Sequence, residues 1–134
     1  MPAEAGDRKS RVFAACPLFR NLPEQQRVAL AGLAIEMRFS KGQVLFLEGD
    51  PCKGLFVIDN GLVKLVKTSA SGREIMLAVE GNASTIAEIP VFDGGPYPAS
   101  AVAVEDTTVY HLPKEQFRQF CLQHPETSLE VLRF

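Results

Sequence analysis

No apolar run in this 134-residue chain approaches the ~20 residues that a membrane-spanning helix needs. The first ten residues have no basic head followed by an apolar stretch, so no secretory signal is expected and the chain is read as cytoplasmic. Charge of one sign is also lacking. Fourteen basic and sixteen acidic residues leave a net charge of -2. A domain that binds nucleic acid by itself usually carries a basic face, so that role is disfavoured. Cysteine is sparse: Cys16, Cys52 and Cys121 are odd in number and far apart. They suit free thiols in a reducing compartment, not a disulfide framework or an iron–sulfur cluster. No Ser–His–Asp set, metal-binding spacing or phosphate loop occurs, so an enzyme is not expected.

What is present suffices for one packed domain. Apolar residues make up 46% of the chain. That content supports a folded core. Residues 1–10 read as a loose start, and Lys9–Cys16 as a short helix ended by Pro17. Leu18 and Phe19 then pack back as an apolar hook. Leu22-Pro23-Glu24-Gln25 opens a second helix, with Pro at its start and acid in its first turn. Val28, Leu30, Ala31, Leu33 and Ala34 give that helix its apolar stripe.

From Ile35 the helical period gives way to short strands. These are Ile35–Phe39, Val44–Leu47, Leu55–Ile58, Leu62–Lys67, Arg73–Val79, Ala99–Val104 and Thr107–Leu112. Asp59-Asn60-Gly61 predicts a tight hairpin with positive φ at both central positions. Ser69-Ala70-Ser71-Gly72 predicts another turn, and the last two strands pair around Glu105-Asp106. Such strands suggest a sandwich or barrel. Pro113-Lys114-Glu115-Gln116 opens a helix that places Phe117, Phe120 and Cys121 together. His124-Pro125 breaks it, and Glu126–Phe134 starts an apolar helix that reads as cut off.

Ser84–Asp106 is the stretch most suggestive of function. Glu88 sits among apolar neighbours, and an unpaired buried carboxylate is costly. A ligand contact and a local cap or lysine pair are equally good readings of it. Tyr97, beside Gly-Pro, reads as a loop anchor before a pocket residue. His111 and His124 could each ligate haem iron, but surface or capping roles are preferred. The loop glycines Gly49, Gly54, Gly61 and Gly72 read as turn formers.

Two segments carry a resemblance. One is Gly49–Leu65, with its glycine-punctuated strands, and the other is Ile86-Ala87-Glu88-Ile89 followed by Pro96–Asp106. Together with Phe19–Pro23 and Leu112–Phe117, they resemble the cyclic nucleotide-binding domain of Crp/Fnr-type transcription regulators. The resemblance implies a mainly β fold: a double-stranded β-helix, or jelly roll, with N- and C-terminal helices. It divides the chain into a leading segment (1–15), a jelly roll (16–124) and the start of a dimerisation helix (125–134). It also implies an effector-sensing domain in a homodimer, with DNA bound only through a further C-terminal domain, and no membrane partner.

In that family a short helix turn, Phe-Gly-Glu-Leu, and a later Pro-Arg-x-Ala hold a cyclic nucleotide. The matching positions here are Ala87, Glu88 and Ile89, then Tyr97, Pro98 and Ala99, and these six are the expected effector-binding residues. Ala87 replaces the family glycine and Tyr97 the arginine. No Lys or Arg occurs between Glu74 and Leu112. Losing a charged hydrogen bond costs roughly 1.5–3 kcal/mol, about tenfold or more in affinity, so cyclic AMP is not expected to bind in the usual way. The Ile-Ala-Glu-Ile and Pro-Tyr-Pro-Ala-Ser-Ala pattern is similar to the regulators that respond to nitric oxide in denitrifying bacteria. Haem is therefore a candidate effector. The alternative is a ligand-free interaction module on the same fold.

Overall fold

A computed structural model describes residues 2–133. The first helix, α1 (Pro2–Ala15), is longer than expected and takes in residues read as a loose start. Its Phe13 stacks on Phe19 at 5.2 Å between ring centroids. The Leu18-Phe19 hook is fully buried, as its apolar character requires. Helix α2 (Glu24–Leu33) starts at Pro23, whose φ of -53° suits helix entry. Leu30 and Ala31 point inward, whereas Val28 is exposed.

Eight strands follow among the described residues: β1 (Ile35–Phe39), β2 (Val44–Phe46), β3 (Gly54–Asn60), β4 (Val63–Thr68), β5 (Glu74–Glu80), β6 (Thr85–Ile86), β7 (Ser100–Ala103) and β8 (Thr107–Pro113). They form two four-stranded antiparallel sheets, ordered β1-β8-β3-β6 and β2-β7-β4-β5. This is the expected mainly β jelly roll with flanking helices. Phe46 of β2 and Phe56 of β3 meet between the sheets at 5.7 Å. Leu55 and Val57, on the alternate face of β3, are buried as well. Helices cover that face: α1, α3 (Glu88–Asp93) and α4 (Lys114–Gln123) all pack on β3.

Two predicted pairings are overturned. Strands β3 and β4 do not form a hairpin about Asn60-Gly61, and β7 and β8 do not pair about Glu105-Asp106. Each of these turns carries the chain from one sheet to the other. Asn60 remains the last residue of β3 with negative φ, and only Gly61, at φ +131°, leaves the ordinary region. The reason is the closed roll. Consecutive strands that both pair elsewhere need a corner between sheets, not a tight turn within one.

The two corners stack on each other. A Cβ on Gly61 would overlap the Thr107 side chain. The buried Thr107 hydroxyl donates to the Glu105 carbonyl at 2.8 Å. The turn at Ser69–Gly72 is a true hairpin, with Val63–Thr68 laddered on Glu74–Glu80.

The last helix, α5 (Pro125–Arg133), buries Thr127 and Val131. Phe134, also expected in it, lies outside the described residues. Cys16, Cys52 and Cys121 are free and buried. Burial pushes the Cys16 thiol up to about 11 and raises that of Cys121, so neither is a thiolate at neutral pH. Among the described residues no helix is long and apolar enough to cross a membrane.

Candidate functional site: a cleft beside the short helix

The expected site residues sit on one loop of chain between the two sheets. Strand β6 is two residues long and pairs with β3 through Phe56–Ile86 and Val57–Thr85. Ala87 then turns the chain into α3 with left-handed φ 68° and ψ 30°. Ala83, just before β6, is left-handed too, at φ 67°. An L-residue in this region costs roughly 1–2 kcal/mol. Both strained alanines therefore bracket the segment that feeds the cleft, a placement typical of ligand-binding loops. Gly94, at φ 77°, closes the helix, and its N–H donates to the Pro90 carbonyl at 3.2 Å.

The cleft encloses about 260 Å³, somewhat under the usual range of ~300–1,000 Å³ for small-molecule sites. Ala87, Glu88, Ile89 and Pro90 line it from α3 and its entry, and Pro98 lines it from the loop before β7. Thr85 and Ile86 contribute from β6, Leu65 from β4 and Glu80 from the end of β5. The structure thus brings together four of the six expected residues: Ala87, Glu88, Ile89 and Pro98.

Tyr97 and Ala99 do not line the cleft. Ala99 is buried. Tyr97 turns into the core, where its ring stacks on Phe46 at 3.9 Å. Its hydroxyl accepts from the Lys53 N–H at 3.0 Å and donates to the Gly54 carbonyl at 3.1 Å. Around it the Tyr97 N–H donates to the Asp50 carbonyl, and the Gly49 N–H to the Tyr97 carbonyl. This residue is an anchor that clips the 48–53 loop to the 96–98 loop. It does so because a phenol can fill apolar space with its ring and satisfy two buried backbone groups at its tip.

Five lining residues escaped sequence reasoning: Leu65, Glu80, Thr85, Ile86 and Pro90. Glu80 and Leu65 come from strands whose proximity depends on the sheet ladder, which no local pattern reports. Thr85 and Ile86 belong to a strand too short to show alternation.

Electrostatically the cleft is acidic. Burial pushes the Glu88 carboxyl above its ordinary value, and the Glu80 charge adds to the rise. The Glu88 backbone N–H and the Thr85 hydroxyl pull the other way. No cationic side chain pairs with Glu80 or Glu88 among the described residues. A folded-state value above the unfolded one means that ionising Glu88 opposes folding. The penalty is absent below the unfolded carboxylate range and complete above the raised folded value. Glu88→Gln should therefore raise the melting temperature at pH 7–8 and leave it unchanged near pH 3. Parallel thermal melts of the two proteins check this, and equal melting temperatures at both pH values would refute it.

The histidines stand away from the cleft. His111 packs on Phe56 at 4.6 Å, and its buried Nδ1 has no hydrogen-bond partner. Burial pushes its pKa down, so the ring is held neutral. His124 packs on Phe120 at 4.2 Å at the end of α4. No His, Cys, Met or Tyr is among the residues lining the cleft, so it offers none of the usual axial ligands for haem.

The fold is a jelly roll with one short helix turned over a small cleft. The comparisons place it. The description "Cyclic nucleotide-binding domain" matches residues 36–124, and the chain belongs to that family. It is similar to the CRP-like cAMP-activated global transcriptional regulator of Mycobacterium tuberculosis (strain CDC 1551 / Oshkosh), with 27% identity over 91% of this chain and 54% of that protein. The chain spans about half the length of the curated relatives it matches.

Among solved structures, it resembles the N-terminal domain of a transcriptional regulator from Streptomyces coelicolor A3(2). The TM-score is 0.82 at 36% identity, covering 91% of this chain and 85% of that one. The sensor domain of the transcriptional regulator DNR from Pseudomonas aeruginosa shares the fold. Its TM-score is 0.85 at 23% identity, over 97% of this chain and 87% of that one.

Proposed function

We propose that this chain is the effector-sensing part of a CRP-like transcription regulator, and that its cleft does not hold cyclic nucleotides in the family's usual manner. The observation that carries the second half is the charge of the cleft: two carboxylates, Glu80 and Glu88, and no cation line it. A cyclic phosphate placed there would face like charge. It would also meet the Ala87 methyl where the family has glycine, and no guanidinium from Tyr97 or Pro98.

In this reading Ala87, Glu88, Ile89 and Pro98 contact the effector, while Tyr97 and Ala99 support the loop that carries Pro98. Residues 1–15 precede the roll, 16–124 form it, and 125–134 begin the helix through which two copies pair. Effector binding at α3 biases that helix and, through it, a DNA-binding part outside this chain. Because α3 and α4 pack on each other, and α4 on α5, a shift at the cleft has a physical route to the last helix.

Calorimetric titration with cyclic AMP and cyclic GMP tests the ligand claim. The expected result is no heat of binding at micromolar nucleotide. A micromolar dissociation constant for either would refute the altered cleft while leaving the sensor role in place.

A further inference from the structure

Building on that reading, we infer that the effector cleft is selective for an organic cation: a small amphipathic amine with its ammonium between Glu80 and Glu88 and its apolar body against Leu65, Ile86 and Pro98. The two acids enter the cleft from different elements. Glu80 ends β5 and Glu88 opens α3, and both line the cleft. The charged neighbour that acts on Glu88 is Glu80, and no cation offsets it. A half-buried carboxylate with an acidic neighbour gains most from a positive donor, because each charge then relieves the desolvation of the other.

The rest of the lining fits the remainder of such a ligand. Leu65, Ile86 and Pro98 offer no polar side-chain atom, and Thr85 adds one hydroxyl beside Glu88. The nearest lysine on the neighbouring strand, Lys64, pairs instead with Glu74 at 3.8 Å. The cleft volume of about 260 Å³ favours a compact ligand.

The test uses three probes with one phenyl-alkyl body: phenethylammonium chloride, neutral phenethyl alcohol and 3-phenylpropanoate. Amide shifts of the whole chain are followed by NMR during titration. The amine should shift Glu80 and Thr85–Ile89 at millimolar concentration and bind about tenfold more tightly than the carboxylate. Glu88→Gln and Glu80→Gln should each weaken the amine and leave the alcohol unchanged.

Two results would overturn the cation selectivity alone. In one, the carboxylate binds in the cleft as well as the amine. In the other, the preference for the amine survives in the double variant. Both would keep the cleft as the effector site. Absence of any amine shift in the cleft would also overturn the selectivity. Shifts from all three probes that map away from the cleft would remove the site assignment together with it.

Discussion

Gly54→Ala is expected to lose roughly 3–5 kcal/mol of stability, combining overpacking with left-handed strain. Gly54 opens β3 at φ +151°, opposite Pro113 at the end of β8. A Cβ there would overlap the Leu112 carbonyl oxygen, and it would lie 2.8 Å from His111 Cε1 and 3.0 Å from Pro113 Cα. Two of these neighbours are backbone atoms of a paired strand, so they cannot step aside without breaking the β3–β8 ladder. The Gly54 carbonyl also receives the Tyr97 hydroxyl, so any shift propagates to the loop behind the cleft.

The control is Gly42→Ala. Gly42 is also left-handed, at φ +88°, but a Cβ there meets nothing within 4 Å. It should lose only about 1 kcal/mol, the backbone part alone. Urea unfolding of both variants separates steric overlap from strain. A Gly54→Ala loss no larger than that of Gly42→Ala would show that β8 yields easily. Against a typical domain stability of ~5–15 kcal/mol, the expected loss leaves a marginal protein.

Gly54 and Gly61 show where the sequence stops being informative. Both read as turn formers, and both are required instead because another part of the chain passes too close for a side chain. The passing groups, Leu112 and Thr107, lie some fifty residues away in sequence, so no local signal could report them. The same limit explains the two false pairings. Asn-Gly does mark a change of direction at residues 60 and 61, but whether the next strand pairs with the last or crosses to the other sheet is decided by the whole roll.

Local chemistry was legible where burial leaves a local signature. Leu18-Phe19 beside Pro17 announced a buried hook, and an acid within Ile86–Ile89 announced the cleft wall. Glu80 gave no such sign, because an acid before Gly81-Asn82 looks like any solvated turn. Its importance comes only from lining the same cleft as Glu88.

Tyr97 carries the other large effect. The family resemblance is expected to put it where an arginine would neutralise the phosphate, so Tyr97→Arg is the direct attempt to restore cyclic nucleotide binding. That attempt is expected to fail and to destabilise the fold. The ring is buried against Phe46, and removing such an aromatic costs about 3–5 kcal/mol. The guanidinium would add the cost of a charge with no acidic partner in a buried site. It would also leave the Lys53 N–H and the Gly54 carbonyl without the phenol that now joins them.

Tyr97→Phe isolates the last effect and should cost roughly 1–3 kcal/mol, because two hydrogen bonds are lost and their backbone partners are left unpaired. Chemical denaturation of both variants, with cyclic AMP titrated into Tyr97→Arg, checks the argument. A Tyr97→Arg protein of unchanged stability that binds cyclic AMP at micromolar concentration would show that the loop can turn residue 97 outward. The anchor role of Tyr97 would then give way to a residue poised at the cleft. With the anchor intact, conversion to a cyclic nucleotide site would need changes in the Asp93–Pro98 loop as well, because its present path commits position 97 to the core.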